Sequence, residues 1–243
     1  MFSKSIKSQI RITLLLSFSI YLFYLLKSHA FRKIYLNQVY LSGNEYIQET
    51  HFEKYLSNLL PQHLILINSK RMENELMTIL PIKYIQIRRE LIPPKISIQI
   101  RPLKGIAHGS RDNEYGKEYG MIDISGKWIS SSFYKNYKIN STYPFIDGWK
   151  EDKKNIISKL LKQRENTGGK LNKILISDSG SIILRTSFFN EINLGSKLNS
   201  IDKQIKVLIH LKKTLTDQKN ATLRIKSIDI KDPSKPELKV FKP

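Results

Sequence analysis

The stretch "VYLSGNEYIQETHFEKYLSNLLPQHLILINSKRMENELMTILPIKYIQIRRELIPPKISIQIR", Val39 to Arg101, decides the fold. Val39 and Leu41 alternate with polar or tolerant positions, and Gly43-Asn44 then turns the chain. Phe52, Tyr55, Leu56 and Leu59 recur at helical spacing until Pro61 stops them. Asn68 or Ser69 can cap a second helix with Met72, Leu76 and Ile79 on its apolar face, closed by Pro81. The period then changes to two. Ile85 and Ile87 oppose Gln86 and Arg88; after a Pro93-Pro94 turn, Ile96, Ile98 and Ile100 oppose Ser97, Gln99 and Arg101. The spacing predicts a βααββ unit: three strands with one polar face, and two helices on the apolar face.

Upstream lies "RITLLLSFSIYLFYLLK", in which Ile12 to Leu26 form an uncharged run of 15 residues between Arg11 and Lys27. A helix of that length covers roughly 22 Å, against a hydrocarbon core about 30 Å thick. Arg11 and Lys27 can snorkel to extend it, and Tyr21 and Tyr24 lie towards its far end, where an aromatic belt would sit. A cleaved signal peptide is the rival reading, since Ser28-His29-Ala30 offers small residues where a peptidase reads. Lys27 directly after the run favours an uncleaved anchor. Lys4, Lys7 and Arg11 before the run nearly balance Lys27, Arg32 and Lys33 after it, and the short leading tail favours the N-terminus inside.

Hydrophobic residues make up 40% and charged residues 26% of the 243, which favours globular structure over disorder. There is no cysteine, which excludes disulfides, thiolate metal sites and a thiol nucleophile. The net charge is +20. An excess of this kind can attract nucleic acid, anionic lipid or an acidic partner. The basic residues are spread along the chain beside abundant Ile, Lys, Asn, Phe and Tyr, a pattern of AT-biased codon usage rather than of a clustered nucleic-acid face.

From Gly120 onward the sequence predicts short strands and turns. "GMIDISGKWIS" is a hairpin about Ser125-Gly126, and "YPFIDGW" is an irregular connection. Residues 151–163 place Ile156, Ile157, Leu160 and Leu161 on one helical face. "KILIS" and "SIILRT" form a hairpin through Asp178-Ser179-Gly180, and "EINLG" is a further strand. A longer helix carries Ile201, Ile205, Leu208, Leu211 and Leu215, before the strands "ATLRIKSIDI" and "ELKVF".

One membrane helix followed by a βααββ unit with Gly43-Asn44 after its first strand, Leu80-Pro81 closing its second helix and "RRELIPPKISIQI" as its hairpin resembles the POTRA domain of the FtsQ/DivIB family of bitopic bacterial cell-division proteins. The later segments are similar to that family's second domain through Ile122-Asp123 with Gly126, Leu194-Gly195 and "IDIKDPSKP". The resemblance implies an α+β protein: a cytoplasmic tail over 1–11, a transmembrane helix over 12–31, a POTRA domain over 34–104, and over 105–243 a mixed α/β domain with a largely antiparallel sheet. It implies a non-enzymatic scaffold of the divisome in the inner membrane, N-terminus in the cytoplasm and both domains outside. The implied partners are other divisome membrane proteins, namely coiled coils of the FtsB/FtsL type and septal synthase components, with no cofactor, nucleic acid or small-molecule substrate.

A search for chemistry yields little. The five histidines, at 29, 51, 63, 108 and 210, show no ligand spacing. "NTGGK" lacks the full phosphate-loop pattern. Ser132 with Lys135 and Ser200 with Lys203 satisfy Ser-x-x-Lys, which on a helix sets a lysine one turn from a serine it could activate. Its companion motifs are absent, so a membrane-anchored hydrolase stays an alternative, as does a secreted binding protein after signal cleavage. The reading favoured by the residues is contact. The last strand is expected at a sheet edge, offering backbone groups for β-strand addition. Leu238 and Val240 share one of its faces and Glu237, Lys239 and Phe241 the other; one set is expected to pack on the core and the other to meet a partner. Phe241 is the expected anchor, with Lys231, Glu237 and Lys239 around it.

Overall fold

The computed structural model describes residues 4–138, 142–165, 167, 169–196, 200–217 and 225–240. It is α+β, with an N-terminal apolar helix and a large mixed sheet. Two compact units divide the chain, Met1–Leu103 and Lys104–Pro243.

The first unit opens with α1 (Lys4–Ala30). Its stretch Ser8–Ala30, 23 residues, is long and apolar enough to cross a membrane. At the helical rise this covers about 35 Å, so the helix exceeds the uncharged run by including Arg11 and Lys27. Length and composition fit a signal sequence equally well. None of its apolar window is buried against the rest of the protein.

Beyond α1, β1 (Lys33–Ile34) precedes β2 (Val39–Ser42) and α2 (Glu49–Ser57). Then β3 (Gln62–His63) pairs antiparallel with β1, a two-stranded tie the sequence did not announce. It leads into a short 3-10 turn, Leu64–Leu66, and α3 (Ser69–Ile79). Asn68 caps α3, its side-chain oxygen accepting the Arg71 N–H at 3.0 Å. The hairpin of β4 (Ile82–Leu91) and β5 (Pro94–Pro102) completes a three-stranded sheet in the order β2-β5-β4. Leu41, Ile98 and Ile87 stand side by side, β2 parallel and β4 antiparallel to β5.

The alternating isoleucines lie inward as the period required: Ile85, Ile87, Ile96, Ile98 and Ile100 are buried, as are Phe52, Leu56, Met72 and Leu76 from the helices. Ile79 differs. It is 55% exposed, and Leu80 is buried in its place at 3%. The helix stops at Ile79 and Leu80 adopts an extended backbone, which swings that side chain inward. Glu73 on α3 reaches the outer side of β4, its carboxylate accepting the Ile87 N–H at 2.8 Å. One sheet edge of this unit is thereby partly satisfied from within.

The second unit holds one nine-stranded sheet. In chain order its elements are β6 (Gly105–Asn113), β7 (Gly116–Asp123), β8 (Trp128–Ser130), β9 (Phe145–Asp147), α4 (Lys154–Lys162), β10 (Leu171–Ile176), β11 (Ile182–Thr186), β12 (Ile192–Gly195), α5 (Ile201–Asp217), β13 (Ile225–Asp229) and β14 (Glu237–Val240). Across the sheet the order is β14-β13-β12-β11-β10-β9-β6-β7-β8. Three neighbouring pairs are parallel, β9 with β10, β9 with β6, and β12 with β13. The others are antiparallel. Parallel neighbours need a crossover; α4 lies in the connection from β9 to β10, and α5 in that from β12 to β13. The stripe Ile156, Ile157, Leu160 and Leu161 of α4 and Ile201, Ile205 and Leu208 of α5 belong to one core with Ile146, Ile174, Leu184, Ile192 and Ile228 of the sheet.

"YPFIDGW" is therefore no irregular connection. Its Phe145–Asp147 is β9, bracketed on both sides in the middle of the sheet. β6 was also unannounced. Gly109 on β6 faces Gly120 on β7. A Cβ on Gly109 would lie 2.6 Å from the Ile122 side chain, and one on Gly120 2.7 Å from the Trp128 ring. The absent side chains make room for Trp128, and the same absence hides the strand from a hydrophobic-period reading.

Candidate functional site: the C-terminal edge strand

β14 closes one end of the nine-stranded sheet and pairs only with β13 among the described residues. Leu238 stands opposite Ile228, Glu237 opposite Asp229, Lys239 opposite Ser227 and Val240 opposite Ile225, with a bulge between Ile225 and Ser227. The turn between the two strands is built by carboxylates. Asp229 accepts the Lys231 N–H at 3.1 Å. Asp232 accepts the Ser234 N–H at 2.9 Å and its hydroxyl at 2.6 Å. These are the Asx-type contacts that let aspartate specify a tight turn.

The strand pair is fastened to the core by Gln204 of α5. This fully buried side chain donates from Nε2 to Leu194 O and to Ile230 O, both at 2.8 Å. One amide thus binds the end of β12 to the end of β13. Beside it a cavity of about 330 Å³ is lined by Ser181, Leu194, Gly195, Ser196, Lys231 and Asp232.

All four residues of β14 are exposed. Leu238 is 44% and Val240 45% accessible, on the face expected to pack, while Glu237 and Lys239 are exposed on the other. The expectation that one face of this strand packs on the core is thus not met. The physical reason lies in the helix layer. Ile201, Ile205 and Leu208 of α5 are buried, whereas Leu211 and Leu215 further along are only partly so. An edge strand also has a neighbour on one side only. What remains is a strand with two accessible faces and one row of outward backbone N–H and C=O groups, and a short apolar pair, Leu238 and Val240, beside them.

Of the four residues expected to meet a partner, Glu237 and Lys239 sit on this strand. Lys231 precedes it by six positions, and its ammonium lies 3.3 Å from Asp229, a half-exposed surface pair. Phe241 lies outside the described residues.

A polar cluster the sequence did not signal occupies the middle of the sheet. Asp147 on β9 accepts the Ser110 hydroxyl at 2.7 Å and the Lys117 ammonium at 2.9 Å on one oxygen, and the Lys173 ammonium at 3.2 Å on the other. Four adjacent strands meet at this carboxylate. The hydrogen bond from Lys117 holds its pKa down at about 2; Ser110 and Lys173 act the same way, and partial burial opposes them. Nearby, the Arg111 guanidinium lies 4.9 Å from the Trp128 ring and pairs with Glu118 at 2.8 Å. These groups pair with one another across adjacent strands.

Of the two Ser-x-x-Lys pairs, Ser132 with Lys135 is not set out on one helical turn. The turn bearing Ser132 ends at Phe133, and Tyr134 is extended, so Lys135 does not follow one helical turn later. Ser200 immediately precedes α5, and Lys203 is on its exposed side. Among the described residues no three His, Cys, Asp or Glu side chains are grouped to hold a metal.

Compared with known protein families and with curated proteins, the chain matches none.

Proposed function

We propose that the protein is a non-enzymatic, membrane-anchored scaffold of bacterial cell division of the FtsQ/DivIB kind. In this reading α1 crosses the inner membrane with its N-terminus in the cytoplasm, and the first unit is a POTRA domain. The β2-β5-β4 sheet with α2 and α3 contributing the buried Phe52, Leu56, Met72 and Leu76 supports that view of the first unit. The second unit presents β14 to a partner that adds a strand to it.

The observation that carries the reading is the edge strand itself. Every residue of β14 is exposed, and nothing among the described residues pairs with its outer side. Long-lived exposed edges are hazards that proteins usually blunt; the first unit uses Glu73 for this on β4. An edge left open with an apolar pair beside it suits β-strand addition, in which main-chain bonds supply affinity and alternate side chains supply selectivity. The partners proposed are coiled-coil division proteins of the FtsB/FtsL type, with Lys239 meeting an acidic side chain.

The test is co-purification of those coiled-coil proteins with full-length chains carrying Lys239→Glu, Phe241→Ala or a stop after Pro236. The stop variant should lose the partners outright, and Lys239→Glu should slow association more than it weakens the complex. Retention of the partners by all three folded variants removes the docking role from β14. Depletion of the protein from its own cell should give filaments, and normal division on depletion removes the division role.

A further inference from the structure

The end of the first unit nearest α1 combines features that the scaffold reading does not use. α1 is fastened to the body at its exit. His63 Nδ1 donates to Phe31 O at 2.5 Å, and the Leu64 N–H donates to Arg32 O at 3.0 Å. The 3-10 turn Leu64–Leu66 is held in turn to the hairpin, because Arg89 donates to Ile65 O at 3.1 Å and Ile67 O at 3.0 Å. Helix exit, turn and the tip of the β4–β5 hairpin therefore form one end of the unit.

That end is apolar where a soluble surface would be polar. Leu66 is 62% exposed and Ile92, at the hairpin tip, 69%. Phe31, Ile65 and Leu91 are exposed beside them. Next to this patch is a cavity of about 600 Å³ lined by Arg32, Lys33, Tyr35, Leu36, Asn37 and Gln38. Gln38 shapes its wall by accepting the Tyr35 N–H at 3.0 Å and donating to Pro94 O at 3.4 Å. The cavity lining contains no acidic residue. Neither Arg32 nor Lys33 makes an ion pair among the described residues, whereas lysines and arginines elsewhere pair with Glu73, Glu75, Glu90, Glu118 and Asp147.

We infer that this end of the unit is seated on the membrane and that the cavity takes the phosphate of an anionic phospholipid. The inference rests on α1 spanning the bilayer. Ala30 is the last residue of that helix, so its exit lies at the headgroup level. Groups hydrogen-bonded to Phe31 and Arg32 cannot be far from the same level. Arg32 and Lys33 supply two donors for a phosphodiester, Tyr35 is the amphipathic ring found at such boundaries, and Leu66 and Ile92 enter the acyl region. Apolar faces at such an interface are buried about 5–10 Å into the headgroup–acyl boundary. Continuity with the helix exit and the unpaired positive charge select lipid as the occupant over a protein partner. The seat fixes the first unit against the bilayer rather than leaving it tethered by a flexible stalk.

The absence of cysteine makes the test direct. Full-length chains with one introduced cysteine, Leu66→Cys, Ile92→Cys or Ile79→Cys, are labelled with an environment-sensitive dye and placed in lipid nanodiscs containing an acyl-chain quencher. Ile79 is the control, exposed at the opposite end of the sheet from Ile92. The discs are phosphatidylcholine alone or with phosphatidylglycerol. Labels at 66 and 92 should be quenched, more so with phosphatidylglycerol, and the label at 79 should not. Each cation near an anionic surface contributes about fivefold, so Arg32→Gln with Lys33→Gln should lower the seated-to-unseated ratio roughly 25-fold in phosphatidylglycerol discs and leave it unchanged in neutral ones. If the chain stays in the discs while 66 and 92 behave like 79, the seat is refuted and the anchor stands. If the chain does not stay in the discs, the anchor fails and the seat with it. If inorganic phosphate added to neutral discs reproduces the effect of phosphatidylglycerol, the cavity is an anion site without lipid preference and the inference is overturned.

Discussion

Replacing Asp147 by asparagine should weaken the second unit in a manner that depends on pH. The carboxylate takes hydrogen bonds from Ser110, Lys117 and Lys173. Its pKa falls from the ordinary 3.8 to about 2. The folded value lies below the unfolded one, so the stabilisation is full above about pH 4 and is lost as pH falls towards about 2. The difference corresponds to at most about 2.5 kcal/mol. The side chain is 25% exposed. Solvent screening reduces the contribution to about 1–2 kcal/mol. Asparagine keeps the size and can still accept from Ser110, but it gives the two ammonium groups no charge. Urea unfolding of the full chain in detergent, followed by tryptophan fluorescence, reads this unit alone, because Trp128 and Trp149 both belong to it and the chain has no other tryptophan. The variant should be less stable by about 1–2 kcal/mol near neutrality, and the gap should close as pH falls from about 4 towards about 2. Equal stability near neutrality, or a gap that persists undiminished in acid, refutes the account of Asp147 as the charge that holds four strands together.

Ile98→Ala should destabilise the first unit by about 2–5 kcal/mol, while Gln99→Ala, its exposed neighbour, should stay within about 0.5 kcal/mol; amide exchange along β5 distinguishes them. Gly43→Ala should also weaken that unit, by at least about 1 kcal/mol, because Gly43 has φ +81° and a Cβ there would lie 2.1 Å from Ile100 O. Gln204→Leu strips two carbonyls of their donor and should destabilise the second unit by about 1–3 kcal/mol, with the amides of β13 and β14 exchanging first. A matching loss in urea unfolding without faster exchange at those strands would show that Gln204 does not hold the edge pair.

The first unit was legible because its core sits on two clean periods. Isoleucines alternate through Ile85–Ile100 and the helices repeat at three and four, so burial followed from spacing alone. Leu80 escaped because a helix end, not a period, decides its direction. The second unit was less legible. β9 has three residues between Pro144 and Gly148, too few to show an alternation, and its partners begin at His108 and Lys173, far away in the chain. β6 was masked by the glycines that admit Trp128. At the candidate site the strand "ELKV" was readable, but not the exposure of both its faces, since that depends on where the buried stripe of α5 gives out. The Asp147 cluster draws its members from four strands and leaves no local motif.

The position of β9 has a mechanical consequence. Among the described residues it is the one strand joining β6–β8 to β10–β14, through three-residue parallel ladders on either side. A pull applied at β14 and resisted at Gly105, where β6 begins, must cross those two ladders. Parallel ladders this short are weaker seams than the antiparallel β10–β11 pair. The two-residue β12–β13 ladder on the same line is bridged by Gln204, and those at β9 are reinforced by the core beneath and by Asp147, which bonds to residues on both sides of β9. Tension along that line would be expected to part the sheet at β9 before it frays β10–β11, making the carboxylate a rivet across the tear line.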